Sequence, residues 1–190
     1  MYATSSQAAQ VQVNLPVNST NLVSSSGDGS TGMFCLGVDP GIVNLGLALI
    51  EIQTKTCLRS KTVKVCKPAE TKASEVKVIE KTIEKIRDFL GDVTPCHVIL
   101  ERNAAVPFMR ILDVQTAGIV GWFVSQQIKC SFANPNSIKA FFNGLCQSKC
   151  HSQNKTDALK LATQWGYSPQ TNHDADAMIL CRYFTDHSNS

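Results

Sequence analysis

Two apolar runs of strand length, FCLGVDPG (34–41) and NLGLALIEI (44–52), follow one another almost without a gap. The first stops on Asp39-Pro40-Gly41, a strong turn signal, so the second is directed back alongside it. A third run, TCLRSKTVKVC (56–66), alternates more loosely after a short polar turn. Three consecutive strands with short connections read as an antiparallel meander. Whatever else the chain does must be built on that half-sheet.

The period then changes. Over 72–90 the apolar residues Val76, Ile79, Ile83, Ile86 and Leu90 recur at helical spacing and make one face. Gly91 suits the position just past the helix end. CHVILE (96–101) is a short buried strand. Residues 107–127 read as a long helix with Pro107 in its first turn. Its apolar residues cover more than one stripe, which marks a central helix or an interface, with Trp122 or Phe123 as anchors. IKCSFA (128–133) is a fifth strand; a polar, lysine-bearing loop and two helices, 154–165 and 174–185, follow. The order βββ-α-β-α-β-α(α) describes an α/β fold, a mixed five-stranded sheet with helices on its faces. The ribonuclease-H-like fold has this order.

Residues 1–32 are rich in Ser, Asn, Gln, Thr and Gly and carry one charge, Asp28, which reads as a disordered tail. The organised domain is expected over 33–186, with 187–190 as a C-terminal tail. A composition of 43% hydrophobic and 17% charged residues excludes a chain disordered throughout. No apolar run reaches the ~18 residues that span a bilayer, and no basic-then-apolar start marks a secretory signal. The first basic residues are Lys55 and Arg59, unlike an Arg-rich transit peptide. An intracellular, reducing location is expected: cytoplasm, nucleus or a viral replication site. Most of the eight cysteines lie in apolar segments and read as small buried hydrophobes. Cys146, Cys150 and His151 have the residue types of a zinc site, but no partner cluster supplies the fourth ligand. The net charge of +3 is modest; more telling is that Lys129, Lys139, Lys149, Lys155 and Lys160 face one acid, Asp157, across that stretch. Such a segment suits phosphate contacts.

The acids fall at telling places. Asp39 ends the first strand and Glu101 ends the fourth. If those strands pair in parallel, both carboxylates emerge at one end of adjacent strands. At the head of the last helix stand His173, Asp174 and Asp176; His173 and Asp176 are three apart and share a face. Asn172 or Asp174 also suits a helix cap. Several carboxylates held close repel one another unless a cation sits among them. Hard oxygen ligands suit Mg²⁺, with Mn²⁺ as substitute. Two such ions about 3.5–4 Å apart clamp a phosphodiester, one activating water and one stabilising the leaving oxygen. Histidine there binds metal or assists proton transfer.

These motifs resemble those of the RuvC-type Holliday junction resolvases. CLGVDPGIVNLGLALIE resembles their strand-turn-strand opening, VILER their fourth strand and HDADAMILCRYF their final helix. ILERNAAVPFMR looks closest to the resolvases of large DNA viruses and fungal mitochondria. The resemblance implies Asp39, Glu101, His173 and Asp176 as the catalytic and metal-binding set, with Asp174 off the spacing. It also implies DNA contacts from Lys139, Lys155, Lys149 and Arg110, and a homodimer nicking a four-way junction in recombination, repair or replication-intermediate processing. Other readings use the same residues: a ribonuclease-H-fold nuclease acting on RNA:DNA hybrid, flap or structured RNA, or a non-catalytic junction-binding module. An actin-like ATPase shares the D-x-G opening but needs two such domains.

Overall fold

The computed structural model describes residues 33–67, 74–102, 110–142 and 151–187, with the backbone alone for 151–156. Five strands form one sheet: β1 (Phe34–Asp39), β2 (Asn44–Glu51), β3 (Cys57–Lys64), β4 (His97–Glu101) and β5 (Lys129–Ala133). Their order is β3-β2-β1-β4-β5. β1, β2 and β3 are antiparallel neighbours, while β4 pairs parallel to β1 and to β5. The expected mixed sheet is therefore present, with the C-terminal ends of β1 and β4 side by side.

Alternation along the strands sorts the core into two layers. Leu36, Val38, Leu45, Leu47, Leu49, Val98 and Leu100 face α1 (Glu75–Leu90) and α2 (Arg110–Ser125). Cys35, Ala48, Ile50 and Ile99 face α4 (His151–Gln164) and α5 (Asn172–His187). Each fully buried leucine or isoleucine contributes roughly 1.5–3 kcal/mol of hydrophobic free energy.

Helix α1 departs from its expected face. Val78, Thr82, Ile86, Phe89 and Leu90 are buried, whereas Val76 is 60% exposed. The polar Thr82 enters because its hydroxyl donates to the Val78 carbonyl, 2.7 Å away, inside its own helix. Gly91 ends α1 at φ 51°, its N–H bonded to the Arg87 carbonyl. The expected loop after β5 instead contains a short helix, α3 (Pro135–Phe141). Asn134 caps it, its side chain accepting from the Asn136 N–H at 2.9 Å, and Pro135 occupies the first turn. Phe123, expected as an interface anchor, is fully buried against the sheet. Helix α5 extends the expected 174–185 at both ends, from Asn172 through His187. The expected tail 1–32, Pro107, Cys146, Lys149 and Cys150 lie outside the described residues, as do the side chains of His151 and Lys155. No described helix is long and apolar enough to cross a membrane.

Helix α5 sits unusually close to the sheet. A Cβ on Gly37 would fall 2.1 Å from the Ala177 carbonyl oxygen, and one on Gly46 would fall 2.0 Å from that of His173. Real Cβ atoms do not approach so near, so these two strand positions require glycine. Ala48, Ala175 and Ala177 continue the close contact with small buried side chains. The start of α5 is thereby pressed against the ends of β1 and β2.

Candidate active site

Parallel pairing of Val38 with Leu100 puts the next residues, Asp39 and Glu101, beside each other at one sheet edge. Both side chains point to the α5 face, by alternation from Cys35 and Ile99. The Asp39 side chain is 14% exposed and accepts a hydrogen bond from His173 Nδ1 at 2.8 Å. A carboxylate has no proton to give, so Nδ1 carries the hydrogen. With Nδ1 engaged by the carboxylate, Nε2 is the ring nitrogen left for a metal or a proton. Burial, reinforced by the negative charge of Asp39, pushes the Glu101 carboxyl up to about 7; Lys139 opposes the shift.

Asp176 enters from α5 one turn beyond His173. With Glu101, Lys139, Ile138 and Phe142 it lines a cavity of about 100 Å³ between α3, α4 and α5. Asp174 does something else. It is 1% exposed, and its oxygens accept from Gln170 N–H at 2.8 Å, Thr171 N–H at 2.7 Å and the Thr171 hydroxyl at 2.6 Å. Thr171 and Asp174 thus form a capping box at the head of α5. The N-cap is Thr171, one residue ahead of Asn172, and Asp174 serves as its partner three residues on.

Three supports were not read from the sequence. Gln115, fully buried on α2, donates from Nε2 to the Gly41 carbonyl at 3.3 Å and to the Thr82 hydroxyl at 2.8 Å, tying α2 to the turn behind Asp39. A polar residue within an apolar helix was the available signal. Thr62 of β3 hydrogen-bonds Thr171, which locks the sheet to the cap of α5. Gly46, on which the head of α5 rests, carried no local signal. Of the expected DNA contacts, exposed Lys139 stands beside Glu101, while Arg110 pairs with Glu75 at 3.0 Å at the other helix layer.

The four expected residues form a chain of pairs: His173 with Asp39, Asp39 with Glu101, and Glu101 with Asp176 across the cavity. Among the described residues no three His, Cys, Asp or Glu side chains gather closely enough to hold one ion jointly. The donor chemistry nevertheless fits a divalent cation. Two carboxylates whose mutual field strengthens the hold of one on a proton offer the same field to Mg²⁺ or Mn²⁺.

No family model matches the sequence, and no curated protein matches it either. Solved structures do. Thermus thermophilus RuvC in complex with a Holliday junction substrate superposes with a TM-score of 0.66 at 17% identity, covering 83% of this chain and 95% of that one. The fowlpox virus Holliday junction resolvase gives 0.55 at 19% identity over 82% and 99%. The yeast mitochondrial Holliday junction resolvase gives 0.57 at 10% identity over 81% and 78%. This is the RuvC-type fold. At these identities the likeness is one of architecture, so residue roles rest on the geometry. Within the RuvC-type fold seen here, the carboxylate edge is where β1, β4 and α5 meet.

Proposed function

We propose that this chain is a divalent-metal-dependent endonuclease that resolves four-way DNA junctions. The observation that carries the reading is the Asp39–Glu101 pair at the ends of adjacent parallel strands, with His173 bonded to Asp39, in a fold shared with three Holliday junction resolvases. Asp39, Glu101 and Asp176 supply hard oxygen donors, and His173 Nε2 a nitrogen. A Mg²⁺ or Mn²⁺ held by these residues would supply Lewis-acid charge toward the phosphodiester and ease ionisation of the attacking water. The protein does the rest. Asp39 holds the His173 ring in one tautomer, leaving Nε2 to take or give a proton. Glu101 is fully ionised only above about pH 7. Lys139 gives a cation beside the scissile position, and Asp174 keeps the head of α5 rigid through the cap.

Paired cuts in opposing strands need two active sites related by a two-fold axis. The outer face of α2 suits that contact. Ala117, Gly121 and Val124 are exposed there, and a Cβ on Gly121 would meet nothing within 4 Å. This surface replaces Phe123 as the proposed contact between subunits.

The test is incubation of the purified chain with labelled four-way junction, flap, RNA:DNA hybrid and linear duplex, in Mg²⁺, Mn²⁺ or EDTA. Symmetric junction cleavage that needs the metal is expected, and Asp39→Asn should bind the junction without cutting it. Preference for the hybrid or flap would reassign the substrate. Equal cutting by Asp39→Asn would remove the site altogether.

A further inference from the structure

Basic side chains outside the site gather along the open edge of β3. Exposed Lys61 and Lys64 line one groove together with Lys85 and Asp88. Lys64 also lines a second groove with Lys67, Lys81 and the Val43–Asn44 turn. Because Lys64 belongs to both, the grooves run into one another. They end at the turn that follows Asp39. Lys85 is neutralised locally by Glu84 at 3.2 Å and Asp88 at 3.6 Å. Among the described residues no carboxylate pairs with Lys61 or Lys64.

Edge strands often carry lysines simply to block pairing with another chain. That explains Lys61 and Lys64, which lie on the strand. It does not explain why Lys67, past the strand's end, and Lys81, on the facing helix, line the same groove. The register supplies a distance. Asp39 pairs with Gly46, Gly46 with Thr62, and Asn44 with Lys64. Strands about 4.8 Å apart and a rise of about 3.4 Å per residue put the Cα atoms of Lys64 and Asp39 roughly 12 Å apart. That is some three to four base steps of duplex at about 3.4 Å each. Lys139 stands on the opposite flank, beside Glu101. Lys64 shares the α5 face with Asp39, through Thr62, while Lys61 turns to the α1 face with Val63, so positive charge wraps the β3 edge and borders the carboxylate pair on the side away from Lys139.

We infer that the β3 edge is a phosphate-binding track, in which Lys61 and Lys64 hold the DNA backbone a few nucleotides from the scissile phosphate. The inference rests on the nuclease reading and adds to it the path of one arm. It is tested with the full chain in Ca²⁺ or EDTA, by titrating labelled four-way junction over a series of salt concentrations. The variants are Lys61→Gln/Lys64→Gln and, as control, Arg87→Gln in the last turn of α1, outside both grooves. The double variant should lower the slope of log K against log[salt] by about 2, near one for each phosphate that is no longer neutralised. Its Kd should weaken several-fold at fixed salt, while its cleavage rate at saturating junction in Mg²⁺ stays that of the wild type. The control should change nothing. A wild type that binds and cuts junctions, with a double variant of unchanged slope, overturns the track alone. So does a double variant that keeps the slope but loses cleavage rate. A wild type that neither binds nor cuts branched DNA overturns the nuclease reading and the track together.

Discussion

Glu101→Gln should stabilise the protein, and only at neutral pH and above. Burial and the neighbouring Asp39 charge move this carboxyl from the usual 4.5 to about 7. In the unfolded chain it ionises near 4.5, so below that pH both states hold the proton and nothing is lost. As pH rises toward 7 the folded state must either keep a proton the unfolded state has released or carry a disfavoured charge. The stability present at acid pH is thus lost progressively, and fully so above 7. A shift of about 2.5 units at 1.36 kcal/mol each gives about 3 kcal/mol. The amide keeps the shape and removes the charge. In EDTA at pH 8 the variant should melt roughly 6–12 °C above the wild type, using about 2–4 °C per kcal/mol for a chain of this size. At pH 4.5 the two should melt together. Adding Mg²⁺ at pH 8 should raise the wild type more than the variant, since only the wild type has the charge to relieve. Parallel melting curves across pH 4.5–8, or a variant less stable at pH 8, would refute the electrostatic account of this pair. Nuclease activity should be lost in either case.

Gly46→Ala would drive a Cβ into the His173 carbonyl oxygen, 2.0 Å away. Urea denaturation should show a loss of about 1–3 kcal/mol, and junction cleavage should fall because the head of α5 is displaced. Asp174→Asn and Asp176→Asn should separate structure from chemistry. The first weakens the capping box and costs about 0.5–2 kcal/mol, with Mn²⁺ affinity by calorimetry largely kept; the second leaves melting nearly unchanged and lowers that affinity at least tenfold. Gly121→Arg on the outer face of α2 should shift sedimentation from dimer to monomer without altering circular dichroism. A variant that remains dimeric would move the interface elsewhere.

The sheet was readable because its signals are local. Leu36, Val38, Leu45, Leu47 and Leu49 alternate with residues facing the other layer, and Asp39-Pro40-Gly41 marks where the chain turns. Helix α1 is legible in extent but not in rotation. Apolar spacing alone favours Val76, and cannot foresee that Thr82 enters the core by bonding its own backbone and then receiving Gln115. Helix α3 escapes a sequence reading because Asn134-Pro135 serves equally as a turn signal and as a cap with proline in the first turn. At the site, the strand ends and the helix head were legible. Their junction was not: Asp39 and His173 lie 134 positions apart, and only the packing of α5 on Gly37 and Gly46 brings them to 2.8 Å. The role of Asp174 likewise depends on Thr171, whose hydroxyl is also taken up by Thr62 across the sheet.

Under the proposed nuclease function, the parallel pairing of β1 with β4 bears on when this protein could cut DNA. Leu36 meets Val98 only after a long loop has closed, and such non-local contacts form late in folding. Histidine and the third carboxylate arrive later still, on α5. During synthesis a ribosome-bound chain exposes Asp39 long before Glu101 has a strand to end or His173 a carboxylate to bind. A nascent chain that has paired β1 with β4 holds Asp39 and Glu101 but neither His173 nor Asp176, so the full set comes together only when α5 docks. For the proposed nuclease, that order acts as an interlock, since the last helix to be made carries the groups that complete the site.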